Sequence, residues 1–419
     1  MEPRSSAFSV PEVRPCRFCA APLDTLVVDL GLSPLCQSIV PADALDRGHM
    51  VYPLRAYVCQ QCWLIQVHDL VRGEDIYSDY AYFSSFSDSW LEHARRFARE
   101  MTETLSLDSE SRVVEIASND GYLLKNFVAD GIPCYGIEPA ANVAQTAIEA
   151  GIDCVVEFFG VATAERLRDE GRGADLIVAN NVIGHVPDIN DFVGGMQRLL
   201  LPGGTVSIEI PHAIHLIHGL QFDAIYQEHY SYWLLTAMRK VLSRHGLTLV
   251  DVQRLPTHGG SLRYLARHSG EGHSVEPIVE QVEREESAAG LTDVATYQAY
   301  PARVAEVKYQ LLEFLIRCRR EGKQVVGYGA PGKAATLLNY CGIREDLIRY
   351  TVDRNPVKQD TFQVGTLIPI HAPEMIAETR PDYIVILPWN LKDEIAGQLE
   401  YTRQWGAKFV IPLPELTVF

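Results

Sequence analysis

From about residue 111, short apolar runs alternate regularly with helical stretches, and this pattern constrains the fold more than any other feature. SRVVEIASNDG is a brief β-type run ending in small and polar residues, and YLLKNFVADG behind it reads as a helix. IPCYGIEPA and ANVAQTAIEAG repeat the pair, and IDCVVEFF, ADLIVANNV and GTVSIEIP supply three more strands. Apolar strands joined by helical crossovers make a parallel sheet covered on both faces, a doubly wound α/β domain. Ligands of such sheets bind beyond the carboxyl ends of the strands, so the residues there carry the functional information.

Those ends point to a particular ligand. Glu115 to Gly121 (EIASNDG) is a tight polar turn into a helix, with Glu115, Ala117, Asn119 and Gly121 as contacts. Its amides and the helix N-terminus suit the carboxylate of a methionine-like group. Glu138 ends the second strand, where a carboxylate accepts both hydroxyls of an adenosine ribose. Glu157, Phe158 and Phe159 follow the third strand and are placed to flank an adenine, and Asn180 and Asn181 end the fourth. A glycine-poor first loop fits S-adenosylmethionine better than NAD, because no pyrophosphate has to approach the backbone.

The 419 residues exceed one ordinary core and imply several domains. With 47% hydrophobic and 22% charged residues the chain is globular. A formal charge of −17 argues against nucleic acid, whose phosphates need a basic footprint, but not against a small phosphorylated ligand. No apolar run is long enough to span a membrane, and the N-terminus has no signal-like apolar region, so the expected location is cytoplasmic. In such a protein nine cysteines read as metal ligands and buried thiols. Cys16 and Cys19 (CRFC) with Cys59 and Cys62 (CQQC) form two C-x-x-C turns, which together complete a four-sulfur zinc site with no open position. The expected zinc is structural, and its loss is expected to leave the chemical site unaltered.

Residues 275–322 read as charged helices with apolar periodicity. KQVVGYGAPGK then opens a second α/β unit in which Gly327, Gly329 and Gly332 spell G-x-G-x-x-G, and Asp353 closes the next strand. By spacing alone this is a dinucleotide fingerprint, and it makes an NAD-dependent oxidoreductase the rival function. Lys333 at the helix start and Lys358 in NPVKQ point instead to phosphates met by ammonium groups. The third reading, a non-catalytic scaffold, leaves the segment Tyr226-Gln227-Glu228-His229-Tyr230 unexplained. Forming a carbon–carbon bond with a sulfonium methyl donor calls for an enolate, hence a base and an oxyanion donor. This segment offers an imidazole, a carboxylate to orient it and a phenol.

Taken in order, the CxxC pairs, EIASNDG, GIEPA, VANNVIGHVPD, FDAIYQEHYSYW, THGGSLR, GYGAPGKAATLLNYCGI and VDRNPVKQ resemble the sugar C-methyltransferase family over nearly the whole chain. These are the ketosugar 3-C-methyltransferases of branched deoxysugar pathways. The resemblance implies a class I S-adenosylmethionine methyltransferase (Rossmann-like) core between a small N-terminal zinc-binding module and a second, C-terminal Rossmann-like α/β domain. The corresponding divisions are 1–75, 76–274 and 275–419. It implies His229 as base with Tyr226 and Glu228 beside it, His185 as a second histidine near the substrate, and Tyr80 and Tyr82 in an aromatic segment that closes over the site. It assigns the C-terminal domain, with Lys333 and Lys358, to a nucleotide-sugar and to no redox cofactor, and His258 in THGGSLR to the substrate side. Ala117 departs from the glycine of many members and is expected only to tighten the turn. Nucleotide, sugar stereochemistry and oligomeric state are not legible.

Overall fold

The computed structural model describes residues 14–36, 38–71, 73, 84–86 and 88–419. Its strands form three sheets of four, seven and eight strands. In the first, Thr25–Ser33, Tyr52–Val58 and Ile65–Val67 run antiparallel beside two cysteine turns. Each turn closes on a residue in the left-handed region just after its second cysteine, Ala20 (φ 60°) and Trp63 (φ 67°). Trp63 donates its amide to the Cys59 carbonyl at 2.8 Å and Ala20 to that of Cys16 at 2.9 Å.

The seven-stranded sheet carries the alternation read from the sequence. Cys154–Val155, Cys134–Ile137, Val113–Ile116, Ala174–Asn180 and Leu200–Pro211 lie side by side and parallel. Ser261–His268 joins Leu200–Pro211 antiparallel, and Leu247–Leu255 flanks it at the edge. Hydrophobic residues of Val113–Ile116 and Ala174–Asn180 are buried throughout, as parallel strands between helix layers require. This is the class I methyltransferase arrangement, and its first-strand loop and the ends of Ile137, Asn180 and Pro211 share one edge.

The helices Pro277–Ala288 and Val294–Arg320 follow, the second burying Tyr297, Tyr300, Val304, Val307, Leu311, Phe314, Leu315 and Cys318 at helical spacing. They lead into the third sheet, whose parallel strands Lys408–Ile411, Tyr383–Ile386, Val325–Tyr328, Thr351–Val352 and Pro369–His371 make a second α/β layer.

Two short strands cross between sheets. Ile39–Pro41, from the N-terminal module, pairs with Thr361–Gln363 at the edge of the C-terminal sheet. Ser231–Tyr232, from the methyltransferase core, pairs with Ile65 and Gln66 in the zinc-module sheet. The three parts are therefore stitched together around residues 226–232. Among the described residues no helix is long and apolar enough to cross a membrane.

Candidate active site

The loop after the first central strand takes its shape from three left-handed residues, Ala117 (φ 58°), Asn119 (φ 51°) and Gly121 (φ 78°). Ala117 does more than tighten the turn: for a residue with a Cβ this conformation costs about 1–2 kcal/mol that glycine avoids. Glu138 lies against the same loop. Its two carboxylate oxygens accept the Asn119 amide at 3.0 Å and the Ala140 amide at 2.9 Å. Burial raises its pKa and the two amides oppose that rise. Lone pairs remain on both oxygens for a pair of hydroxyls.

Around this loop, buried Glu115 Oε2, Asp120 Oδ1, Asn180 Oδ1 and Asn181 Oδ1 have no hydrogen-bond partner among the described residues. Four unmet acceptors on one sheet edge are costly unless a ligand supplies donors. The α-ammonium of the methionine portion of S-adenosylmethionine fits them, so the loop offers acceptors as well as the amides read from the sequence. Burial raises the pKa of Glu115, which an ammonium partner would bring down again. Asn181 takes a left-handed conformation (φ 54°) and donates its amide to the Glu209 carbonyl at 2.7 Å. Phe158 is half exposed, whereas Phe159 packs edge-on against Phe192 at 5.5 Å. Glu157 pairs with Arg166 at 2.9 Å and lies at the surface.

The two histidines meet. His185 and His229 ring centroids are 4.7 Å apart, nearly perpendicular. His229 Nδ1 donates to the Ala224 carbonyl at 2.9 Å, which leaves Nε2 as the acceptor for the Tyr226 hydroxyl at 2.8 Å. The carbonyl thereby sets the tautomer. Glu228 does not orient this imidazole, because both ring nitrogens have other partners. Its carboxylate instead accepts the Cys36 thiol of the N-terminal module at 3.4 Å, and its backbone carbonyl holds His185. Burial, then His185, pushes the pKa of His229 well below 6.5, and burial takes His185 down to about 4. Both are neutral at neutral pH. Tyr80 and Tyr82 lie outside the described residues; just beyond them, the amides of Ser84 and Ser85 donate to the Asn119 and Asp120 side chains at 2.8 and 3.1 Å.

The C-terminal domain faces the same histidines. Lys333 donates to Asn390 at 3.0 Å and sits 4.7 Å from the Trp389 ring centroid. Burial lowers its pKa, and Asp223 opposes this. His258, left-handed at φ 54° and open to solvent, meets Trp90 edge-on at 5.3 Å. Lys358 donates to the Ala330 carbonyl at 2.8 Å. The glycine motif is turned inward. A Cβ on Gly329 would lie 2.5 Å from the Pro388 ring, and Asp353 accepts the Ala330 amide at 2.7 Å instead of waiting for a ribose.

At the N-terminus the thiols of Cys16, Cys19, Cys59 and Cys62 lie within 4.8 Å of one another. Cys16 and Cys62 sulfurs are 3.6 Å apart and those of Cys19 and Cys59 3.5 Å. A tetrahedral zinc with bonds of about 2.3 Å holds sulfurs about 3.8 Å apart, so the set fits. Gln66 donates to Cys16 Sγ at 3.2 Å, the outer hydrogen bond such a ligand needs.

The sequence is 32% identical to C-methyltransferase NovU of Streptomyces niveus over 406 residues, 96% of this chain and 97% of that one. The chain belongs to this C-methyltransferase family. Family models match it as a zinc binding domain over 16–77, a methyltransferase domain over 90–252 and a C-methyltransferase C-terminal domain over 256–414. It is also 30% identical to a ubiquinone biosynthesis O-methyltransferase of Rhodopseudomonas palustris over 115 residues, 27% of this chain and 45% of that protein. Among solved structures, the PH0226 protein of Pyrococcus horikoshii aligns with a TM-score of 0.38 at 14% identity, covering 45% of this chain and 95% of that one. The protein is an S-adenosylmethionine-dependent C-methyltransferase with a four-cysteine zinc-binding site.

Several residues of this C-methyltransferase site escape sequence reasoning. Asp223 accepts the Trp389 indole at 2.7 Å and so seats the C-terminal domain on the core. Gly259 leaves room for that indole, since a Cβ there would lie 2.7 Å from it. Glu209 accepts His93 at 2.9 Å, Arg263 at 3.0 Å and Thr257 at 3.0 Å. Burial would raise its pKa, but His93 and Arg263 hold it below the usual carboxylate value. His93 in turn stacks on Trp90 at 4.9 Å. Only Glu209, at a strand end, had a signal that could have found it.

Proposed function

We propose that this C-methyltransferase acts α to the ketone, at C-3, of a nucleotide-linked 4-keto-deoxysugar, through an enolate. The observation that carries the reading is the Tyr226–His229 pair, in which the Nε2 lone pair of a neutral imidazole accepts a phenol hydroxyl at 2.8 Å. His229 Nε2 takes the α-proton, the C–H electrons pass into the enolate, and the Tyr226 hydroxyl, released from Nε2, donates to the enolate oxygen. The Ala224 carbonyl keeps the ring in place and steadies the imidazolium through Nδ1–H. S-adenosylmethionine, when bound, would supply an electrophilic methyl to the enolate carbon, its sulfonium becoming the neutral thioether of S-adenosylhomocysteine. The proton on His229 then returns to solvent.

Glu115, Asp120, Glu138, Asn180 and Asn181 hold the methyl donor. Lys333 and Lys358 meet the diphosphate of the sugar nucleotide, with His258 on the substrate side. Zinc in the four-cysteine site is structural, because four thiolates leave no open position for chemistry. The test is to offer a panel of nucleotide-linked 4-ketohexoses with labelled methyl donor and read products by mass spectrometry. A gain of one methyl on carbon, with loss of the C-3 proton, is expected; methylation on oxygen or nitrogen would overturn the reading.

A further inference from the structure

The first cysteine turn reaches into the catalytic region through one side chain. Arg17 lies between Cys16 and Cys19, and its amide donates at 3.0 Å to the Gln66 side chain that also binds Cys16 Sγ. Its guanidinium forks. One arm donates to the Pro187 carbonyl at 3.1 Å and the other to the Val67 carbonyl, while the plane lies 5.3 Å from the Tyr230 ring centroid. Pro187 follows His185 by two residues, and Tyr230 follows His229 by one. Val67 returns its amide to the Tyr230 carbonyl at 3.0 Å, and Gln66 pairs with Ser231. One residue thus holds the segments that carry both histidines.

Stability alone does not explain this arginine. Its Nε is buried with no partner among the described residues, and an incompletely satisfied guanidinium in a half-buried site is usually no more stabilising than a packed apolar side chain. Its fork does something an apolar residue cannot: it fixes two backbone carbonyls and one aromatic ring at set distances. The His185–His229 spacing of 4.7 Å depends on those segments.

We infer that Arg17 is a positioning residue that sets the spacing of His185 and His229 from the zinc-binding turn. This rests on the proposed role of the histidines. The test uses the full chain with zinc bound. Arg17→Ala is expected to retain one zinc per chain and to bind S-adenosylmethionine within about twofold of wild type. Its kcat should fall by roughly 10–100-fold, as misplaced catalytic groups do. In ¹⁵N spectra of the imidazoles, recorded without substrate, the His185 and His229 signals should move. Arg17→Lys, which reaches only one carbonyl, should recover part of both changes. Unchanged histidine signals and kcat in Arg17→Ala, or loss of its zinc, would overturn the inference. Should Arg17→Ala not fold, Arg17→Lys decides by the same readouts. The spectra do not depend on which residue is the base, so a fully active His229→Asn would remove the proposed base and leave this test standing.

Discussion

The two Rossmann-like units of this protein carry opposite loops. GYGAPGK has the glycines of a dinucleotide fingerprint, yet Gly329 makes room for Pro388 and Asp353 closes onto the Ala330 amide. EIASNDG has one glycine, yet it holds Ala117 and Asn119 in left-handed geometry, and four buried oxygens in and around it have no partner among the described residues. The difference teaches that glycine spacing reports where backbone comes close to something, and that the something can be the protein itself. Unmet polar atoms are the better sign of a ligand.

The comparison breaks or sharpens at specific residues. Glu138→Ala removes the carboxylate proposed for the ribose and should weaken S-adenosylmethionine binding by about 2–4 kcal/mol, read by calorimetry. Asp353→Ala, the matching change in the other unit, should leave that affinity alone. Equal losses would mean that both loops serve the methyl donor. Gly329→Ala forces a Cβ against Pro388 and adds a left-handed penalty, so thermal unfolding should show about 2–3 kcal/mol of destabilisation. A neutral result would show that the loop has slack, and NADH binding to the wild type would revive the oxidoreductase reading. Lys333→Ala should raise the KM for sugar nucleotide about tenfold, the loss of one charge-assisted hydrogen bond, with methyl-donor affinity unchanged. The smallest effect is expected of Ala117→Gly, which relieves the left-handed cost but adds chain entropy, a net gain of at most about 1 kcal/mol in stability.

What could be read from the sequence was local. The CxxC turns, the strand ends and the YQEHY segment are short-range patterns, and the cysteines of the first converge as expected. Glu138 was legible as a strand-end carboxylate, and the structure shows it accepting the Asn119 and Ala140 amides. The pairing of Ile39–Pro41 with Thr361–Gln363 was not legible, since three residues show no periodicity and the partner lies over 300 positions away. For the same reason the contacts that bear on the expectation that zinc loss spares the chemical site were not legible either. Ser231–Tyr232 completes the zinc-module sheet, Cys36 holds Glu228, and Gln227 donates to the Ser33 carbonyl at 3.0 Å. Cysteine-to-serine changes in the metal site should therefore disturb the histidines as well as the module. Glu228 was read as the partner of His229 because the two are neighbours in sequence. Residues 226–229 instead form a turn closed by the His229 amide on the Tyr226 carbonyl at 3.0 Å, and from it the Glu228 carboxylate faces the N-terminal module.

The central claim is that His229 makes the enolate beside the glycine-poor loop, and proton exchange tests it without methyl transfer. A nucleotide-linked 4-ketohexose incubated with enzyme in deuterated water, with no methyl donor, should lose its C-3 proton signal in the wild type. With His229→Asn the exchange should slow by roughly 10²–10⁴-fold, the range of a lost general base. Exchange at the wild-type rate in that variant would contradict the account and move the base to His185.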